Sequence, residues 1–184
     1  PGYWGRLLLS SFMLSLLSHT ILITLDLVAY GPLIQMPILF FYFWQIFRIP
    51  IFYAGLMVVN GYLLYSLIQA VILVVYQIIG FTIAPNEPTA FIAQTITAGI
   101  TFLMAWLLIR TNWGFTFVPD TDRVKMQWNK RNIRLLVMSI VGYVALSIYY
   151  ISFFWGYTPF IGLVLGTIVY IVLQYLVFER EYYG

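Results

Sequence analysis

The chain lacks cysteine altogether and has a single histidine, His19. The lack of cysteine excludes disulfides, thiol nucleophiles and thiolate metal sites. The single histidine excludes multi-histidine metal sites. Charge is scarce as well, because only 8% of residues are Asp, Glu, Lys or Arg, against about 25% in soluble proteins. Since so few charged groups cannot cover a globular surface, lipid must form part of the solvent around this chain.

Apolar and aromatic side chains are correspondingly abundant. Of the 184 residues, 62% are hydrophobic and 20% are aromatic, and the mean hydropathy is +0.93. Tyr and Trp suit bilayer interfaces, where one end of the ring stays wet. We therefore predict an all-α, multi-pass protein of the cell membrane, with residues 1–184 forming one transmembrane domain.

Proline and glycine divide the apolar sequence into segments, because proline cannot continue a helix and restricts the residue before it. The clearest breaks are Gly31-Pro32, Pro50, Pro85 and Pro159. A spanning helix needs about 20 residues, so about six spans fit. They are predicted at residues 7–29, 33–47, 51–80, 89–109, 133–154 and 160–178, with a polar loop at 110–132. The second is short for a span, and the third is long enough to tilt.

The basic residues predict the orientation of the bundle, because cytoplasmic loops carry an excess of Lys and Arg. Six of the nine lie in or beside the loop between the fourth and fifth spans, so that loop is expected inside the cell. With six spans, alternation puts Arg6, Arg48 and Arg180 on the same side. Both termini are then cytoplasmic.

Two ionisable residues fall within the first predicted span, His19 and Asp26. Ionisable groups in hydrocarbon are costly and are candidates for function by default. They lie seven residues apart on one helix face, roughly 10 Å by helical rise, too far for a direct hydrogen bond. They could form an outward-facing polar pocket that binds a ligand, or a proton-sensitive contact. Alternatively, a neighbouring helix satisfies His19, and Asp26 is solvated at the interface.

Four glutamines fall in the outer half of the predicted bundle: Gln35, Gln69, Gln77 and Gln94. At a shared depth they could line a ligand cleft open to the outside. Amides also join membrane helices, at about 0.6 kcal/mol each. Both interpretations remain open for this set.

The loop at 110–132 mixes aromatic and basic residues. Its candidate signal-relay or membrane-surface residues are Trp113, Phe117, Arg123, Lys125 and Trp128. The functional hypothesis is a relay or docking element lying on the membrane surface. The alternative is a loop that only sets topology and contacts lipid.

Enzyme signatures are absent from the sequence. An intramembrane aspartyl protease needs two acids within spans, and the serines near His19 share its helix. Phosphate loops and metal signatures are also missing, so we expect no catalysis and no cofactor. Nucleic-acid binding does not suit one basic loop without a soluble domain.

The six-span topology, the juxtamembrane stretch at 113–119 and the charged exit after Phe178 resemble the membrane sensor regions of bacterial receptor histidine kinases of the peptide-pheromone, quorum-sensing type. This resemblance covers the whole chain in topology and size. It implies an extracellular or lipid-borne ligand, a homodimer, and a cytoplasmic kinase domain outside this segment. The start at Pro1 and the helix-compatible end at 179–183 also suggest a module of a longer protein.

We therefore expect a sensor module of a two-component signal transduction system, in which the last helix relays ligand binding to the kinase. The runner-up is a substrate-binding membrane subunit of a vitamin-type transporter. A third hypothesis is an acyltransferase centred on His19.

Overall fold

The computed structural model describes residues 2–25, 27, 30–80, 88–111, 129–154 and 159–183, and all regular secondary structure among them is helical. Within these residues, four helices are long and apolar enough to cross a membrane: Ile51–Ile78, Pro88–Arg110, Lys130–Ile151 and Leu163–Tyr182. These lengths and compositions confirm the prediction of an all-α protein suited to a membrane. The helices are α1 (Gly2–His19), α2 (Gly31–Gln45), α3 (Ile51–Ile78), α4 (Pro88–Arg110), α5 (Lys130–Phe154) and α6 (Pro159–Tyr183).

Local sequence accounts for several helix ends. Gly80 follows α3 with a φ of +89°, and its N–H donates to the Gln77 carbonyl at 3.1 Å; glycine is favoured at such left-handed helix ends. Asn129 caps α5, because its side-chain oxygen accepts the Asn132 N–H at 2.9 Å. Arg48 reverses the chain between α2 and α3 with a φ of 55°.

Side-chain contacts fix the relative directions of the helices around α3. Gln35 meets Tyr62 and Phe40 lies beside Gly55, so α2 runs antiparallel to α3. Gly142 lies against Leu63 and Val59, and Tyr150 meets Gln69; α5 therefore runs parallel to α3.

The sixth helix also runs antiparallel to α3. Gly166 lies against Leu67, and Gln174 reaches Asn60. The ends of α2 and α6 and the starts of α3 and α5 consequently share one end of the bundle. We call this the basic end, because it carries Arg48, Lys130, Arg131, Arg134 and Arg180.

The third helix supplies more of the described buried residues than any other helix. Ala54 is 0% exposed and Leu63 is 1% exposed, and Leu173 and Val177 of α6 are both fully buried. Outward faces stay apolar and exposed, as with Phe102 at 75%, which is expected where lipid replaces water.

The first two helices form a short hairpin. A single π-helical turn, Thr20–Thr24, follows α1, and α2 has only 15 residues. Its length is about 22 Å by helical rise, below the roughly 30 Å of a hydrocarbon core. Because α2 is antiparallel to α3, it lies beside the first part of α3 and begins near that helix's middle.

Candidate functional site

Gln35 of α2 joins three helices through its side-chain amide. Its Nε2 donates to the Ser18 hydroxyl of α1 at 2.8 Å. Its Oε1 accepts from the Tyr62 hydroxyl of α3 at 2.6 Å. All three side chains are partly buried. The amide therefore connects the α1–α2 hairpin to the centre of the bundle.

Gln69 of α3, seven residues after Tyr62, also accepts a hydrogen bond from a tyrosine of a neighbouring helix. Its Oε1 accepts from the Tyr150 hydroxyl of α5 at 2.7 Å. Tyr62, Ser66 and Gln69 lie on one face of α3 because they are spaced by four and three residues. The Ser66 side chain is 3% exposed, so this polar face points into the protein.

These contacts lie in the middle of the longest helix. Tyr62 is about 16 Å and Gln69 about 27 Å from the start of α3 by helical rise, in a helix of 28 residues. The Tyr65 ring lies beside that of Tyr62, with 6.5 Å between the centroids. We call Ser18, Gln35, Tyr62, Gln69 and Tyr150 the mid-depth network; it comprises two hydrogen-bonded groups, Ser18–Gln35–Tyr62 and Gln69–Tyr150.

A further tyrosine satisfies a backbone group that proline leaves free. Pro37 lies inside α2 and has no N–H, so the carbonyl of Leu33 four residues earlier lacks its usual helical donor. The Tyr143 hydroxyl of α5 donates to that carbonyl at 3.0 Å. Helices in a membrane tolerate proline when a neighbouring helix supplies such a donor.

The opposite face of α3 carries a polar contact to α6. The Gln174 amide donates to the Asn60 side-chain oxygen. Asn60 and Tyr62 are two residues apart, about 200° around the helix. The third helix is thus bonded to the mid-depth network on one face and to α6 on the other.

Polar contacts also join α5 and α6 at the basic end. The Arg180 Nε donates to the Asn132 side-chain oxygen at 3.0 Å, and Asn132 is 1% exposed. Arg131 and Glu179 lie 3.9 Å apart and are both partly exposed. The end of α6 is therefore held to the start of α5.

The structure gives the predicted site residues different surroundings. Gln35 and Gln69 belong to the mid-depth network, whereas His19, Gln77 and Gln94 are exposed on their helices. The remaining predicted residues lie outside the described residues: Asp26, Trp113, Phe117, Arg123, Lys125 and Trp128.

Sequence reasoning missed the tyrosines that bind the two glutamines. Two signals were present. Tyr62, Ser66 and Gln69 share one helical face, and Pro37 within an apolar segment implies a free carbonyl that needs a donor. The chain has fifteen tyrosines, and the sequence does not distinguish a tyrosine at the membrane interface from one that bonds another helix.

The mid-depth network offers neutral donors and acceptors: amides, phenols and a serine hydroxyl. The described helices carry Asp, Glu, Lys and Arg side chains only near their ends, and His19 is the last residue of α1. Such a site suits an uncharged, hydrogen-bonding ligand better than an ion, because an unpaired charge there is costly. Comparisons with protein-family models, with curated proteins and with solved structures give no match for this chain, so a functional proposal rests on this chemistry.

Proposed function

We propose that this chain is a ligand-responsive sensor module of the bacterial cell membrane that relays a signal through α6. An uncharged ligand from outside the cell or from the membrane exchanges hydrogen bonds with the mid-depth network. The observation that carries the proposal is the double attachment of α3. On one face this helix contributes Tyr62 and Gln69 to the mid-depth network. On the opposite face it contacts α6 through Asn60.

Mechanically, α3 is the element that a ligand would move. A ligand shifts an equilibrium only if it prefers one of two arrangements. Competition for the Gln69 or Gln35 amide provides such a preference, because the bond of that amide to Tyr150, Tyr62 or Ser18 is lost when the ligand takes the place of that partner. A displaced α3 would carry Asn60, and with it Gln174 of α6.

The direction of the signal follows from charge. The basic end collects Arg48, Arg131 and Arg180 among other cations, and the positive-inside rule assigns such an end to the cytoplasm. The sixth helix ends there, beside Asn132. Output to a cytoplasmic kinase domain, which the resemblance to receptor histidine kinases implies, would use this end of α6.

The relay is tested by breaking the network and measuring α6. Because the chain has no cysteine, the exposed positions Ile51→Cys and Tyr182→Cys take spin labels specifically. We expect Tyr150→Phe to shift the label-to-label distance on the order of 1–2 Å, the usual scale of helix displacement. Adding Gln174→Leu should abolish this response, since it cuts the bond to Asn60.

The matched control is Tyr175→Phe on α6, where the side chain is 68% exposed and loses the same hydroxyl. It should leave the distance unchanged. Circular dichroism verifies that each variant is folded. An unchanged distance in folded Tyr150→Phe would refute the relay.

A transport subunit is the second candidate, and one observation favours it. The π-helical turn at Thr20–Thr24 and the short α2 make an interrupted hairpin beside the mid-depth network, and transporters place substrates at such interruptions. This reading predicts a retained vitamin-sized molecule in native mass spectra that Gln69→Leu releases. Folded protein without such a molecule, together with a positive relay result, would favour the sensor.

A further inference from the structure

The described side chains of the first helix contact the rest of the protein along one narrow line. Among the described side chains between residues 5 and 20, only Leu14 and Ser18 are partly buried, and they lie one turn apart. Leu9 and Phe12 are each 61% exposed. This helix packs principally against α2. The described side chains of α1 therefore make little apolar contact with the rest of the protein.

One polar contact of α1 with the bundle is the hydrogen bond from Gln35 to Ser18. Tyr62 donates to the Oε1 of Gln35, which leaves the Nε2 facing α1. The group that α1 presents to the bundle is thus an acceptor oxygen on an apolar body. A free molecule with the same two features can compete for the same amide.

We propose that Gln35 binds a neutral single-chain amphiphile, such as a long-chain alcohol or ester, that enters from the lipid and displaces Ser18 and α1. This inference rests on the proposed function and specifies its ligand and its point of entry. The oxygen of the amphiphile accepts from the Gln35 Nε2 in place of the Ser18 hydroxyl. Its hydrocarbon chain takes the place of α1 beside α2.

Charge argues for a neutral head group. Among the described residues near this depth, His19 is the one Asp, Glu, Lys, Arg or His side chain, and it is exposed, about 100° around the helix from Ser18. An ionised head would therefore lack a fixed counter-charge in hydrocarbon, which is costly. The exposed apolar faces of α1 give such an amphiphile direct access from the bilayer.

Hexadecanol and hexadecane are the matched probes, because they differ by one hydroxyl. Spin labels at the exposed positions Leu9→Cys and Phe41→Cys, in lipid nanodiscs, report the separation of α1 and α2. Hexadecanol should lengthen the label-to-label distance and remain bound in native mass spectra. Hexadecane should do neither.

Three variants locate the site. Ser18→Ala removes the competing hydroxyl and should tighten hexadecanol binding about threefold, the factor that about 0.6 kcal/mol represents. Ser15→Ala, an exposed serine on the same helix, should not change the affinity. Gln35→Leu should abolish selective retention of hexadecanol over hexadecane.

Equal displacement by hexadecane, or no gain in affinity with folded Ser18→Ala, would overturn the proposal. The labels at Ile51 and Tyr182 separate this failure from failure of the relay. If hexadecanol does not bind while Tyr150→Phe still moves α6, the relay stands and the ligand class is wrong. If neither responds, both proposals are refuted.

Discussion

Replacing Tyr143 by phenylalanine should destabilise the protein through a backbone group on another helix. The Tyr143 hydroxyl donates at 3.0 Å to the Leu33 carbonyl, which Pro37 deprives of its helical donor. Tyr143→Phe leaves that carbonyl without a donor while keeping the ring. The loss of stability caused by Tyr143→Phe should be much smaller if the helical donor is restored, as in Pro37→Ala.

The expected magnitude comes from two limits. A carbonyl left unsatisfied away from water costs about 1–3 kcal/mol, whereas side-chain bonds between membrane helices average about 0.6 kcal/mol. We expect Tyr143→Phe to lower the free energy of unfolding by about 1 kcal/mol. In the Pro37→Ala background the residue 37 N–H supplies the bond, so the cost should drop to a few tenths.

A double-mutant cycle measures this coupling directly. The free energy of unfolding is obtained from titration of bicelle-embedded protein with denaturing detergent, followed by circular dichroism. Tyr175→Phe, an exposed tyrosine on α6, is the control for loss of a hydroxyl. Equal costs of Tyr143→Phe in both backgrounds would refute the idea that this hydroxyl compensates for Pro37.

Two other substitutions test packing and the network by the same unfolding measurement. Gly142→Ala should be less stable than Gly61→Ala by about 1–3 kcal/mol, because its Cβ would approach the buried Leu63 to 3.1 Å while Gly61 has open space; equal stabilities would contradict the α3–α5 packing. Gln69→Leu should cost about 0.6 kcal/mol or more, because it removes the acceptor of an interhelical hydrogen bond. The exposed Gln94→Leu should cost nothing, and equal losses for the two glutamine variants would count against the mid-depth network.

The sequence predicted the glutamines of the candidate site but not the tyrosines that bind them. Glutamines within apolar segments are visible because polar groups are rare there, and Gln35 and Gln69 were identified for that reason. Their partners were not, since Tyr62 and Tyr150 lie 27 and 81 residues away from them along the chain. A hydrogen bond across helices depends on register and rotation, which no single segment encodes.

Composition by itself determined that the chain is helical and suited to a membrane, because scarce charge and long apolar segments leave few other solutions. Proline and glycine likewise marked the breaks between segments. Which glutamines turn inward was decided by tertiary structure alone. Gln35 and Gln69 face α3 and α5, whereas Gln77 and Gln94 remain exposed. The physical reason is that these helices are apolar on nearly all sides, so only the packing of neighbours selects the face that is buried.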